Sequence, residues 1–122
     1  MKPSLPKGEK QCLFCGIAKK EIPSKLVYED EKAIAFVDIN PQAPVHLLIV
    51  PKAHISSLST VKQEEMGTLA HLFSLVPKLA EKNGVLEAGF RTVVNSGEAA
   101  GQTVFHLHIH LLGGRVFSWP PG

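Results

Sequence analysis

Histidine alternates with apolar residues in one short segment, and this alternation limits the possible folds more than any other feature. Residues 105–112 read Phe-His-Leu-His-Ile-His-Leu-Leu. Alternate side chains of a strand point to one face, so the segment predicts a strand over 104–112 with His106, His108 and His110 side by side. Residues on one face repeat every ~6.6 Å, so a single ion does not reach all three. Either structural hydrogen bonding, metal binding by two neighbours, or catalysis explains such a face.

Short β-prone runs predict the rest of a sheet. They occupy residues 26–28, 33–37, 46–50 and 90–95. The charged residues 29–32 fit the turn of a hairpin between the first two runs. The apolar run within 46–50, Leu47 to Val50, indicates burial on both faces.

One long helix is predicted from Thr60 to Asn83, where apolar residues recur at three- and four-residue steps. Thr60 and Gln63 have the spacing of a capping box, and Pro77 should kink the helix. A short helix is predicted over 11–20. The pattern favours an α+β fold with a five-stranded antiparallel sheet partly covered by the long helix. A chain of 122 residues suits one domain, expected over 10–122 after a flexible arm at 1–9.

Charge and cysteine content exclude several classes of function. A net charge of +2, with scattered Lys and Arg, gives no basic stripe for polymeric nucleic acid. The longest apolar stretch, 47–51, is far too short to span a membrane. The two cysteines, Cys12 and Cys15, fit a metal or redox motif in a reducing compartment. We therefore expect a cytoplasmic protein with no membrane partner.

The histidine segment resembles the signature of the histidine-triad (HIT) family, in which three histidines alternate with apolar residues. The resemblance extends over about residues 12–122 and includes the segments 41–46, 51–55, 94–95, 101–102 and 112–115. The ending Trp-Pro-Pro-Gly at 119–122, with Gly-Gly-Arg before it, points to the Hint branch, the purine nucleoside phosphoramidases. This resemblance implies a HIT-like fold and a two-fold homodimer.

The resemblance also implies how such an enzyme would work. His108 is the nucleophile that attacks the α-phosphorus of an adenosine or guanosine 5′-phosphoramidate and becomes nucleotidylated. His46 would support the triad by hydrogen bonding. Candidate donors to the leaving amine and to the transition state are His110, Thr103 and the backbone amides near Gly101 and Gln102.

The substrate contacts follow from the same resemblance. Asp38, with Ile39 beside it, would accept hydrogen bonds from the ribose, and Asn95 would lie near the sugar and phosphate. Trp119 would lie near the active site of the partner subunit. An apolar slot for the base would be lined by Phe14, Ile17, Phe36 and Leu48.

A structural zinc ion is the one metal that the resemblance implies, with no cofactor needed for the chemistry. Relatives that bind zinc use positions matching Cys12, Cys15, His54 and His106, which form a complete tetrahedral set. Many Hint proteins lack the cysteine pair. A disulfide between the two cysteines is the other possibility, but the chain lacks the thioredoxin-like pattern that would favour it.

Two other functions compete with phosphoramidate hydrolysis. One is hydrolysis of dinucleoside polyphosphates, or transfer of the nucleotide to an acceptor other than water, and the leaving group decides between these reactions. The other is a nucleotide-binding adaptor with little activity, which an intact triad disfavours.

Overall fold

The computed structural model describes residues 12–122. The arm predicted over 1–9 lies outside the described residues. The helices are α1 (Leu13–Ala18) and α2 (Met66–Lys82), and the strands are β1 (Leu26–Glu29), β2 (Ala33–Val37), β3 (Val45–Pro51), β4 (Phe90–Val93) and β5 (Ile109–Gly113).

The five strands form one antiparallel sheet in the order β1-β2-β3-β5-β4. The predicted α+β fold with one long and one short helix is therefore confirmed. β5 lies between β3 and β4, so His110 is opposite Leu48 on one side and Val93 on the other. This central position gives His110 neighbours on both sides.

Both faces of the sheet are covered. On one face, α2 packs its buried residues Leu72, Leu75 and Leu79 against β2, β3 and β5. On the other face, α1 packs with alternate residues of β2 and β3. Burial of each such side chain contributes about 1.5–3 kcal/mol, so the apolar runs of β2 and β3 are explained by burial on both faces.

The prediction that three histidines share one strand face is wrong. β5 begins at Ile109, so His110 belongs to it but His106 and His108 precede it. The register that pairs Ile49 with Ile109 would place Leu107 opposite Pro51, which has no N–H to continue the ladder. The Leu107 amide instead donates to the carbonyl of Ile55.

The long helix begins later than predicted. Residues 58–60 and 63–65 form separate 3₁₀ turns, and α2 begins at Met66. The predicted box between Thr60 and Gln63 is replaced by an exchange between Ser57 and Thr60 around the first turn. Within residues 12–122, no helix is both long and apolar enough to cross a bilayer.

Candidate functional site

His108 lies just before β5 and is only 7% exposed. Its Nδ1 is 2.7 Å from the carbonyl oxygen of His106. A carbonyl only accepts, so Nδ1 carries the proton and the lone pair is on Nε2. Burial lowers the pKa of His108, although the bond to the His106 backbone and the charge of Asp38 oppose this shift. The ring is therefore a neutral imidazole with a free lone pair on a defined nitrogen.

An apolar cluster borders His108. The Phe14 ring meets the His108 ring edge-on at 5.1 Å and the Phe36 ring at 5.4 Å. Ile17 and Leu48 are buried in the same cluster. The structure thus brings together the four residues predicted to line a base slot, and one of them, Phe14, contacts His108.

Asp38, His46 and His110 form a second group, the carboxylate–imidazole cluster, whose polar atoms lie within 4.8 Å of one another. The backbone N–H of Gln42 donates to Nδ1 of His46 at 3.0 Å. The proton of His46 must then be on Nε2, which is 2.9 Å from Nδ1 of His110 and 3.5 Å from Oδ2 of Asp38. His110 therefore accepts at Nδ1 and carries its own proton on Nε2.

Both imidazoles of this cluster are neutral at pH 7. Burial lowers the pKa of His46, against the attraction of Asp38. Burial also lowers the pKa of His110 to about 4, and His108 and His46 add to the effect. The cluster is therefore a chain of hydrogen bonds between neutral rings.

Cys12, Cys15, His54 and His106 form the thiol–imidazole cluster, whose ligand atoms also lie within 4.8 Å of one another. Nδ1 of His106 is 3.2 Å from the Cys12 sulfur and 3.4 Å from the Cys15 sulfur, and Nδ1 of His54 is 3.3 Å from the Cys15 sulfur. The cysteines carry no disulfide bond. A tetrahedral zinc ion places sulfur and nitrogen ligands roughly 3.5 Å apart, so these distances fit one.

The proton of His106 also fits a metal ligand. Its Nε2 donates to the carbonyl of Pro51 at 2.7 Å, so the lone pair on Nδ1 faces the sulfurs. Burial lowers the pKa of this fully buried ring to about 4, although the Pro51 bond opposes the shift. The cluster is thus compatible with a structural zinc ion.

The glycine-bearing loop before the histidines has positive φ at Gly97 (90°) and Gly101 (93°). The buried Gln102 side chain holds this loop: its Oε1 accepts from the Gly97 amide, and its Nε2 donates to the carbonyls of Ser56 and Val104. Gln102 therefore positions the loop through its side chain, a function the sequence did not suggest.

The remaining predicted residues lie in different surroundings. Thr103 is exposed between the loop and His106, and half-buried Asn95 lies two residues beyond Val93, the partner of His110. Ile39 is 97% exposed and Trp119 is 82% exposed. In the single chain, therefore, neither of these two side chains is buried beside the histidines.

Three groups that shape the site make contacts that the sequence did not signal. The Gln42 amide and the Pro51 carbonyl are backbone atoms, and only the register of the fold brings them to His46 and His106. The Nε of Arg115 donates to the Gln42 carbonyl at 2.9 Å. For Arg115, the Gly-Gly-Arg motif was a signal for the family but not for this contact.

Known proteins resemble this chain over most of its length. A family model described as the HIT domain matches residues 19–117. An uncharacterised HIT-like protein from Synechococcus elongatus is 51% identical over 110 residues, 90% of this chain and 96% of that protein. A 14 kDa zinc-binding protein from Zea mays is 48% identical over 112 residues, 90% of this chain and 87% of that protein. A crystal structure of a HIT family hydrolase from Legionella pneumophila has a TM-score of 0.89 and 50% identity, and the match covers 91% of this chain and 99% of that one.

Proposed function

This chain belongs to the HIT domain family, and we propose that it is a purine nucleoside phosphoramidase of the Hint branch. Its fold is that of a HIT family hydrolase. In our proposal it hydrolyses the phosphorus–nitrogen bond of adenosine or guanosine 5′-phosphoramidates through a nucleotidyl-His108 intermediate.

The observation that carries the proposal is the state of His108. Its Nδ1 proton is held by the His106 carbonyl, so the neutral ring offers Nε2 as a nucleophile without first losing a proton. A solvated histidine interchanges its tautomers, whereas this one is fixed in the form that attack requires. The apolar cluster beside it favours a substrate with a flat ring.

The reaction proceeds in two steps. Nε2 of His108 bonds to the α-phosphorus, the phosphorus–nitrogen bond breaks with its electron pair on nitrogen, and the departing amine takes a proton from solvent. Water then attacks phosphorus, the bond to His108 breaks, and one proton is released with the nucleoside monophosphate. Charge on the phosphoryl oxygens would be met by His110, Thr103 and the amides of Gly101 and Gln102.

The rest of the nucleotide is bound by groups around the histidines. Phe14, Ile17, Phe36 and Leu48 bind the base by apolar contact. Asp38 follows β2 and holds the ribose hydroxyls beside Ile39, and Asn95 contacts the sugar and phosphate. These roles rest on the family resemblance and on the proximity of Asp38 to His46.

We further propose that the thiol–imidazole cluster binds a structural zinc ion through Cys12, Cys15, His54 and His106. The mutual distances of the ligand atoms and the inward lone pair of His106 support it. The ion would join α1 to the segment before β5 and would take no part in the chemistry. Elemental analysis of purified protein tests this, and a chain without metal after exposure to zinc contradicts it.

A homodimer is the third part of the proposal. The outer face of α2 exposes Met66, Ala70, Phe73 and Pro77, which are spaced as one helical stripe. β4 is an edge strand that a second copy can extend. In such a dimer the exposed Trp119 reaches the partner's site. Light scattering tests this part, and a monomeric mass contradicts it.

The first experiment compares hydrolysis of adenosine 5′-phosphoramidate with hydrolysis of diadenosine triphosphate at pH 7. We expect faster cleavage of the amidate, and a nucleotide adduct on His108 in protein quenched during turnover and analysed by mass spectrometry. The His108→Ala variant is the matched control and should form no adduct.

The same experiment separates the competing functions. Preference for the polyphosphate would replace the proposal with a dinucleoside polyphosphate hydrolase. An adduct that passes to an acceptor faster than to water would indicate a nucleotidyl transferase. Nucleotide binding without cleavage of either substrate would indicate an adaptor. We place the reaction in the cytoplasm because reduced thiols and zinc sites are stable there.

A further inference from the structure

We propose that the backbone N–H of Gln42 fixes the proton positions of both His46 and His110, so that His110 presents a neutral Nε2–H donor to the phosphoryl group. Gln42 is thereby a positioning residue that acts through its backbone. The assignment of protons stands on geometry alone, whereas its effect on catalysis rests on the function proposed above.

The direction of the hydrogen bonds follows from one donor. An amide N–H can only donate, so Nδ1 of His46 must accept at 3.0 Å. His46 then has its proton on Nε2 and donates it to Nδ1 of His110 at 2.9 Å. His110 is left with its proton on Nε2, so one backbone group sets the tautomers of two rings.

The N–H of Gln42 also keeps His46 and His110 uncharged. A second proton on His46 would belong on Nδ1, where it would face the N–H of Gln42. A second proton on His110 would belong on Nδ1, where it would face the proton of His46. The titratable groups around His46 and His110 are Asp38, whose Oδ2 is 3.5 Å from Nε2 of His46, and His108, whose ring is 4.9 Å from that of His110.

A neutral donor is useful beside a phosphoryl group. A positively charged His110 would bind the anionic substrate as tightly as the transition state, which does not speed the reaction. Its charge would also disfavour positive charge on the nearby His108. A neutral N–H instead strengthens its hydrogen bond as charge develops on the phosphoryl oxygens. The fixed tautomer also means that no ring has to reorganise during the reaction.

The loop that carries Gln42 is also held by the segment that follows β5, at the same end of the sheet. Nε of Arg115 donates to the carbonyl of Gln42 at 2.9 Å, and the guanidinium lies 4.2 Å from the centre of the Phe117 ring. Gly114, with φ of 92°, has no Cβ, and one built there would lie 2.9 Å from Pro44. The Gly-Gly-Arg segment thus holds the carbonyl side of Gln42, the residue whose N–H faces His46.

The first test is the ¹⁵N spectrum of the imidazole rings in the unaltered full chain with zinc supplied. We expect His46 and His110 each to show an unprotonated Nδ1 and a protonated Nε2, unchanged from pH 8 to pH 5. A protonated Nδ1 on either ring would overturn the proposal. This measurement needs no substrate.

The second test uses two substitutions at one position. Gln42→Pro removes the N–H, and Gln42→Ala keeps it while removing the side chain. We expect Gln42→Pro to lower kcat by about 10- to 100-fold with KM within about twofold, since the loss is in the transition state. Its His46 signals should show both tautomers. Gln42→Ala should keep the parent kcat and the parent spectrum.

The outcomes separate the two proposals. A parent protein inactive on phosphoramidates refutes the proposed function, while its spectrum still decides the proton positions. An active parent whose Gln42→Pro variant keeps full kcat, or keeps a single His46 tautomer, refutes the role of the Gln42 amide. If Gln42→Pro does not fold, the spectrum of the parent protein decides.

Discussion

The thiol–imidazole and carboxylate–imidazole clusters contain similar side chains at similar separations, yet their chemistry differs. Each gathers potential metal ligands within 4.8 Å. In the first, the outer nitrogen of His106 donates to a carbonyl, that of Pro51. In the second, the outer nitrogen of His46 accepts from an amide, that of Gln42.

This difference decides what lies inside each cluster. A backbone carbonyl beside the outer nitrogen of a histidine accepts the proton of that nitrogen. The inner nitrogen then has a lone pair that faces the cluster and can bind a cation. A backbone amide beside the outer nitrogen donates to the lone pair of that nitrogen. The inner nitrogen then carries a proton that faces the cluster, where a metal would need a lone pair. Distance alone makes both groups candidate metal sites, and the polarity of one backbone contact separates them. His108 follows the first pattern, with the His106 carbonyl leaving its Nε2 lone pair available.

The largest expected effect would show where the chemistry lies. His108→Gln should lower kcat/KM by at least about 10⁴-fold, because an amide cannot form the phosphoryl intermediate. His110→Gln should lower it by about 10²- to 10³-fold, because only a donor to the transition state is lost. Steady-state kinetics with adenosine 5′-phosphoramidate measures both.

The metal content of the His108→Gln and His110→Gln variants provides the control for their kinetics. Both variants should have the same zinc content as the parent protein, since neither residue belongs to the thiol–imidazole cluster. A His108→Gln variant that loses its metal together with its activity would show that the two sites are not separate.

The next effect tests the metal side of the comparison. Removal of zinc by a chelator, or Cys12→Ser, should lower the free energy of unfolding by about 3–4 kcal/mol, the contribution of a ligand present at 100 to 1,000 times its Kd. Urea unfolding with and without chelator measures the change. Asp38→Asn is the matched control from the other cluster and should leave the response to chelator intact. An equal loss of response in Asp38→Asn would contradict the assignment.

The sequence predicted much of the fold because its patterns are local. The apolar run of β3 and the periodicity of α2 depend on neighbouring residues, and both elements form where expected except at their ends. The extent of β5 was not predictable in this way, because it depends on the register against Pro51, which lies far away in the chain.

The candidate site also has features that the sequence predicted and features that depend on distant parts of the chain. Asp38, His46 and His110 lie in one cluster, and Cys12, Cys15, His54 and His106 lie in another. Ile39 and Trp119 are exposed in the single chain. The proton positions were not predictable, because they depend on backbone groups of Gln42, Pro51 and His106. A sequence pattern specifies side chains and contains no signal for the direction of these hydrogen bonds.

A smaller effect concerns pH and the carboxylate–imidazole cluster. The pKa of His110 falls from 6.5 to about 4 on folding, mainly by burial, and that of His46 is also lowered. Above pH 6.5 these histidines are neutral in both the folded and the unfolded chain. As the pH falls toward 4, they bind protons in the unfolded chain but not in the folded chain. Stability present above pH 6.5 should therefore decline down to about pH 4, by about 2 kcal/mol for His110 after allowance for its partial exposure.

Urea unfolding at several pH values checks this decline. His110→Gln should show a shallower dependence than the parent protein under the same metal conditions, because the titrating ring is gone. Identical slopes in the two proteins would mean that His110 does not keep its low pKa in the folded state.

The smallest effect comes from a histidine outside both clusters. His71 of α2 lies 2.7 Å, Nε2 to Oδ2, from Asp30 in the turn between β1 and β2. Asp30 also accepts from the Tyr28 hydroxyl and from the amides of Lys32 and Ala33. Since the carboxylate keeps these three donors, His71→Gln should cost only about 1 kcal/mol of stability. Thermal unfolding measures it, and kcat and zinc content should be unchanged.

Asp30→Ala is the matched comparison, because it leaves all of those donors without their acceptor and should cost more than His71→Gln. A large loss of activity in His71→Gln would show that a histidine outside both clusters takes part in the mechanism. It would contradict the comparison between the two clusters. The expected result would strengthen it, because a histidine that only bonds a surface carboxylate would then affect stability alone. Chemical function would require, in addition, a backbone group that fixes which nitrogen carries the proton.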